Sequence, residues 1–161
     1  MLHIYLNDHL AAETGAVELA RRTASALRDS DIGPALDQLA RDIAVDREAL
    51  LTAMSSLRIG VTRYKVGAAW VGEKVGRLKL NGSWVSRSPL STVYELEALI
   101  LLAHSRRMVW ASLLALGDER LTSARLEELA ARADDHIERL ESMRADAAAE
   151  VLTSRTADPA A

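Results

Sequence analysis

The sequence predicts an all-α protein: a four-helix bundle with one long connection between its second and third helices. Three observations carry that prediction. Only three prolines and eight glycines punctuate 161 residues, and good helix formers (alanine, leucine, arginine, glutamate) dominate the long stretches between them. Apolar residues recur at spacings of three and four in four separate stretches, as on helices with one face turned to a core. Two of the three connections are short, and the third runs to about 30 residues, far beyond an ordinary turn.

The first helix is expected over about residues 4–28. Leu6, Leu10, Val17, Ala20, Ala24 and Leu27 fall on one stripe, and Glu13 takes the place between Leu10 and Val17. The turn Asp29-Ser30-Asp31-Ile32-Gly33-Pro34 ends it. Ser30 or Asp31 is expected to cap the next helix, and Pro34 is tolerated in a first turn. The second helix, about residues 34–57, carries Leu36, Leu39, Ile43, Leu50 and Leu57, with Asp46 between Ile43 and Leu50. A short turn makes these two helices antiparallel neighbours.

The third helix opens at Ser88-Pro89, a cap followed by proline, and runs to about Leu116. It offers two stripes. One joins Val93, Ile100, Met108, Ala111 and Ala115, with Glu97 and His104 on it. The other joins Leu96, Leu99, Ala103, Trp110 and Leu113. So wide an apolar arc predicts the most buried helix of the four. Arg106 and Arg107 can pair with carboxylates across helices, or read more blandly as solvated or interface charges. Gly117-Asp118-Glu119 ends the helix, and Thr122 or Ser123 caps the fourth. There Leu126, Leu129, Ala133, Ile137, Leu140, Met143, Ala147 and Val151 form the stripe, with His136 at its edge. The bundle is expected over residues 1–152, and 153–161 reads as a disordered tail, being small, polar and proline-containing.

The connection over residues 58–88 decides the topology. A chain of that length returns along the second helix, a distance of about 36 Å at 1.5 Å per residue. The third helix can then run parallel to the second. The connection holds all three lysines (Lys65, Lys74, Lys79) and Arg58, Arg63, Arg77 and Arg87, against Glu73 alone. Val66, Trp70, Val71, Val75 and Leu78 read as a short amphipathic helix. Such a segment packs on the bundle or docks a membrane or acidic partner through Arg63, Lys65, Lys74, Arg77 and Lys79.

Composition narrows the classes. A net charge of −3 gives no general nucleic-acid footprint, and with no cysteine there is no disulfide framework or thiolate chemistry. No leader pattern opens the chain, and the longest apolar run, 98–103, is far short of the roughly 20 residues of a membrane span. A cytoplasmic protein is expected. No phosphate-binding glycine loop or nucleophile motif is present.

Glu13, Asp46, Glu97 and His136 interrupt the apolar seams of four helices. Buried carboxylates need a cation, a proton or a hydrogen-bond partner. Two explanations compete: a metal held between the helices, or a polar layer of paired carboxylates with His or Arg that fixes helix register. Measured from the connecting turn, His104 lies level with His136 while Glu97 lies deeper, so His104 is the alternate ligand. His3 and His9 read as surface residues.

Over about residues 4–151 the chain resembles the ferritin-like superfamily, and within it uncharacterised actinobacterial ferritin-like proteins. The similarity rests on helix layout and on three runs: residues 5–10 (Tyr-Leu-Asn-Asp-His-Leu), 74–82 (Lys-Val-Gly-Arg-Leu-Lys-Leu-Asn-Gly) and 89–97 (Pro-Leu-Ser-Thr-Val-Tyr-Glu-Leu-Glu). The resemblance implies that Glu13 matches the carboxylate of the first helix, Asp46 that of the second, Glu97 that of the third, and His136 the histidine of the fourth. Two ligands of that di-iron pattern are missing, because Ala49 stands where a histidine belongs and Ala133 where a glutamate belongs. The expectation is a non-catalytic bundle without cofactor, acting as a structural, binding or stress-associated protein. The alternatives are an iron or manganese protein with a reduced ligand set, and a docking module acting through the basic connection. Wide apolar coverage on the third helix, and opposite charge on connection and bundle, suggest a homodimer.

Overall fold

A computed structural model describes residues 1–62 and 88–153 of the protein. Four helices, and no strand, make up the described residues: α1 Leu2–Ala26, α2 Gly33–Ser56, α3 Pro89–Leu116 and α4 Ser123–Thr153. The expected amphipathic helix and the basic residues Arg63, Lys65, Lys74, Arg77 and Lys79 lie outside the described residues, as does the tail beyond Thr153.

Helix directions emerge from the contacts between them. Thr14 of α1 accepts from Arg47 of α2 across the short turn. Tyr5, Glu13 and Thr23 of α1 meet Ser112, Arg106 and Glu95 of α3, so numbers rise along one helix as they fall along the other. Asp42 and Asp46 of α2 meet Arg139 and Arg132 of α4 in the same opposed order. Hence α1 is antiparallel to α2 and to α3, and α2 runs parallel to α3.

The ends depart from the expected caps in an instructive way. Ile32, not Ser30 or Asp31, precedes α2, and no side chain caps it. Ser30 Oγ instead donates to the Leu27 carbonyl at 2.7 Å, closing the end of α1. Gly33 is required by space, since a Cβ there would lie 2.5 Å from the Leu27 carbonyl oxygen and 2.7 Å from that of Arg28. Helix α3 ends on Gly117 in the left-handed conformation (φ 63°). Helix α2 ends the same way on Arg58 (φ 58°), a residue that adopts this conformation at some cost. The Ile59 N–H then reaches back to the Met54 carbonyl at 2.8 Å, and Ile59 packs on the core, as in a Schellman ending. Asn7 of α1 holds the chain just beyond this ending, donating to the Gly60 carbonyl and accepting from the Thr62 N–H.

Leu10, Val17, Leu39, Ile43, Leu50, Ile100, Leu129 and Leu140, all expected in the core, are buried. The core has two apolar clusters. One, toward the α1–α2 turn, gathers residues such as Val17, Leu39, Ile43, Leu99, Ala103 and Leu140. The other, toward the α3–α4 turn, gathers Leu6, Leu10, Leu50, Met54, Trp110, Leu113 and Leu129. Polar residues separate them.

The phase of α3 corrects the sequence reading. Its second stripe, through Leu96, Leu99, Ala103, Trp110 and Leu113, faces the core. Of the first stripe only Val93 and Ile100 are buried, while Met108, Ala111, Ala115 and His104 are exposed. A helix apolar on nearly every side carries little phase information in its apolar residues alone. Helix α3 also leaves Tyr94, Leu101 and Met108 exposed on its outer face, contrary to the expectation that it is the most buried.

Candidate functional site

The layer between the two clusters is built around one of the two α3 arginines, read from the sequence as solvated charges or as partners of carboxylates on other helices. Arg106 of α3 is only 1% exposed. Its stem leaves α3 on the same stripe as Ala103 and Trp110, which carries the guanidinium into the centre of the bundle. There Nε donates to Glu13 Oε2 at 2.8 Å. Nη1 donates to Asp46 Oδ2 at 3.4 Å and to His136 Nδ1 at 3.2 Å. One residue from each helix thus meets in one layer: Glu13, Asp46, Arg106 and His136.

A second tier surrounds it. Arg132 of α4 brings Nη2 to 2.8 Å from Asp46 Oδ1. That contact is an ion pair without hydrogen-bond alignment, and Oδ1 accepts no hydrogen bond. Asp42, one turn before Asp46, accepts from Arg139 at 3.3 Å, and from Gln38 at 2.8 Å. His136 Nε2 stands 4.0 Å from Asp42 Oδ2, too far for a hydrogen bond.

The Arg106 contact assigns the tautomer of His136, whose Nδ1 also stands 3.4 Å from Asp46 Oδ2. A guanidinium only donates, so Nδ1 must offer a lone pair to Arg106, and the proton of the neutral ring sits on Nε2. Burial, then the Arg106 charge, hold the His136 pKa down to about 4. Burial pushes the Glu13 carboxyl upward against the pull of Arg106, and raises Asp46 against Arg106 and Arg132. Burial would raise Asp42 as well, but hydrogen bonds from Gln38 and Arg139 outweigh it and hold that carboxyl low. With His136 neutral, Glu13 and Asp46 face Arg106 and Arg132, and the charges balance.

Of the four expected ligands, Glu13, Asp46 and His136 converge. Glu97 does not. It lies nine residues before Arg106, which at 100° per residue is the opposite side of α3, and about 13 Å away along the axis. It is half-buried at the outer face. His104, the alternate ligand, is exposed and also faces outward. The residues therefore do not fit a di-iron centre. Its third-helix carboxylate is absent from the layer, Ala49 and Ala133 supply no ligand, and a guanidinium lies among the remaining donors. Among the described residues no group of three His, Asp or Glu side chains is arranged to hold a metal ion.

Sequence reasoning allows Arg106 to pair with carboxylates across helices, but groups it with Arg107 and does not place it at the centre of the layer. Arg107 is a solvated charge: it pairs with Asp134 at 2.6 Å, both half exposed. The signal for Arg106 is its spacing. Leu96, Leu99, Ala103, Arg106, Trp110 and Leu113 step by three and four without a gap.

Smaller polar contacts also tie α1 to α3. Thr23 Oγ1 donates to the buried Glu95 at 3.1 Å, and Arg22 approaches the same carboxylate at 3.6 Å. Nearer the other end, His9 lies half-buried with Nδ1 3.2 Å from Ser105 Oγ and its ring edge-on to Tyr5. His9 is thus part of the α1–α3 contact and not, as expected, a surface residue. Burial lowers its pKa, with Asp8 opposing.

A scan against protein-family models, a search of curated proteins and a search of solved structures each find no match to this chain.

Proposed function

We propose that the chain is a ferritin-like bundle in which an arginine takes the place of core metal, and that it acts as a non-catalytic structural or binding protein. One observation carries this reading: the Arg106 guanidinium lies 2.8 Å from Glu13 and 3.4 Å from Asp46. Divalent ions would otherwise neutralise those carboxylates. The parallel course of α2 and α3 and the seam positions of Glu13, Asp46 and His136 support the ferritin-like part. The layer's role is register. Sliding any helix by one turn would drive a charged or polar group into one of the apolar clusters, where it would have no partner.

The test is metal content after purification without chelator, with a ferroxidase assay alongside. The expected result is less than one iron, manganese or zinc per chain and no iron oxidation. Recovery of one or two tightly bound ions per chain, lost on Glu13→Ala, would overturn the reading in favour of a metalloprotein.

A further inference from the structure

Among the described residues no helix lies against the outer face of α3. Leu101 is 69% exposed, Met108 56% and Tyr94 39%. These three stand seven residues apart and so share one line along the helix. Only 39% of the most apolar window of Leu90–Leu116 is buried, although that stretch is apolar enough by composition to cross a bilayer. A helix apolar on all sides is ordinarily covered on all sides, and an exposed apolar stripe of this kind marks a contact surface.

We propose that this face is covered by the same face of a second copy, with the two α3 helices antiparallel about a two-fold axis level with Ala103. The size pattern along the stripe points to this occupant. Beside the large residues runs a line of small ones, Ala98, Ser105 and Ser112, also seven apart. A two-fold at Ala103 sets Tyr94 opposite Ser112, Ala98 opposite Met108 and Leu101 opposite Ser105 of the second copy. One register thus satisfies all three pairs, and each pair recurs on the other side of the axis, as an isologous contact requires.

Charge and area agree. Glu97 is the one formally charged residue on the stripe. The register holds the two copies of Glu97 about 18 Å apart along the axis at 1.5 Å per residue, beyond the Debye length of about 8 Å at physiological salt. From Tyr94 to Ala115 the stripe is about 31 Å long and one helix about 10 Å across. Helix α1 runs alongside with the small, half-buried Ala12 and Gly15. Two helices offer about 600 Å² per copy, or about 1,200 Å² in total, the lower edge of specific interfaces. A dimer in the micromolar range is expected.

Sedimentation equilibrium of the full chain tests this. At about 100 µM, well above a micromolar dissociation constant, the mass should approach twice the monomer's 17.5 kDa. Leu101→Lys should leave a monomer with unchanged helical circular dichroism. Met108→Ala and Ala98→Met should each weaken association about tenfold or more. The double variant, which restores one large and one small residue in each pair, should recover most of it. A monomeric wild type at that concentration overturns the proposal. A dimer indifferent to Leu101→Lys does the same, and so does a double variant no better than the singles. Flotation with phosphatidylglycerol vesicles that Leu101→Lys abolishes would assign the face to a membrane and also overturn it.

Discussion

Replacing Arg106 by methionine isolates what the buried layer contributes. Methionine keeps most of the apolar stem and removes the guanidinium. Glu13 Oε2 then loses its 2.8 Å donor, Asp46 Oδ2 its 3.4 Å donor, and His136 Nδ1 its 3.2 Å donor. Asp46 keeps Arg132, but Glu13 is left as a buried charge with no cation among the contacts described. Removing one partner of a buried ion pair typically costs about 3–5 kcal/mol. Against a total stability of about 5–15 kcal/mol for an ordinary domain, Arg106→Met should forfeit a large share of the stability at neutral pH.

The deficit should depend on pH with a definite sign. Glu13 is already raised above its ordinary 4.5 with Arg106 in place, and removing the guanidinium raises it further. A carboxyl whose folded pKa lies above its unfolded value contributes stability at low pH and loses it as pH climbs through the folded value. Each differentially bound proton is worth about 1.4 kcal/mol per pH unit. The variant should therefore recover part of its loss between about pH 7.5 and pH 5. Urea unfolding followed at 222 nm, at both pH values for both proteins, is the assay. Adding Glu13→Gln should recover stability at neutral pH and flatten the pH dependence. A loss below about 1 kcal/mol, or one equal at the two pH values, would refute the account of Arg106 as the counter-ion of a desolvated carboxylate.

Three further outcomes concern the same layer and its surroundings. His136, held at about 4 against 6.5 when unfolded, contributes stability in full above pH 6.5 and loses it as pH falls toward 4, by up to about 3 kcal/mol. Its ring proton resonances should not titrate above about pH 5, and a midpoint near 6.5 would contradict the buried Nδ1 contact. Arg106→Glu should convert the layer to three carboxylates and a histidine, so manganese or zinc should raise the melting temperature of that variant and leave the wild type unmoved. A variant equally insensitive to metal would show that the layer cannot close on a cation. Arg58→Gly should stabilise the chain by about 1 kcal/mol, because glycine adopts φ 58° without the penalty of a side chain. Equal denaturation midpoints would mean that Arg58 is held by contacts of its own.

Much of the architecture is legible because it is written in spacing. The α1 and α2 stripes have one phase each, fixed by Leu10 and Val17 and by Ile43 and Leu50, so Glu13 and Asp46 can be assigned to the interior without a structure. His136 comes from the same kind of reading on α4. Helix α3 defeats it, because a helix that is apolar on both sides admits two phases, and the wrong one carries Glu97 and His104 inward. The residue that would fix the phase is the charged one. A lone arginine in an unbroken line of leucine, alanine and tryptophan marks the inward face when carboxylates await it from other helices. Caps are harder to read from residue type alone. Ser30 serves the end of α1 rather than the start of α2 because the turn brings its hydroxyl to the Leu27 carbonyl, which is a matter of path and not of composition.

The division of the core into two apolar clusters bears on how the molecule opens. A single continuous core tends to open as one cooperative unit. Here the α1–α2 turn and the inner halves of α3 and α4 beside it share one cluster, and the α3–α4 turn, the start of α1 and the end of α2 share the other. The two communicate through ion pairs, whose strength falls with acid and with changes in the protonation of a single imidazole. Hydrogen exchange should accordingly resolve two sets of slow amides. They would merge into one at neutral pH and separate on acidification, with the half anchored by Asn7 and Arg120 at the end of α2 outlasting or yielding to the other as a unit.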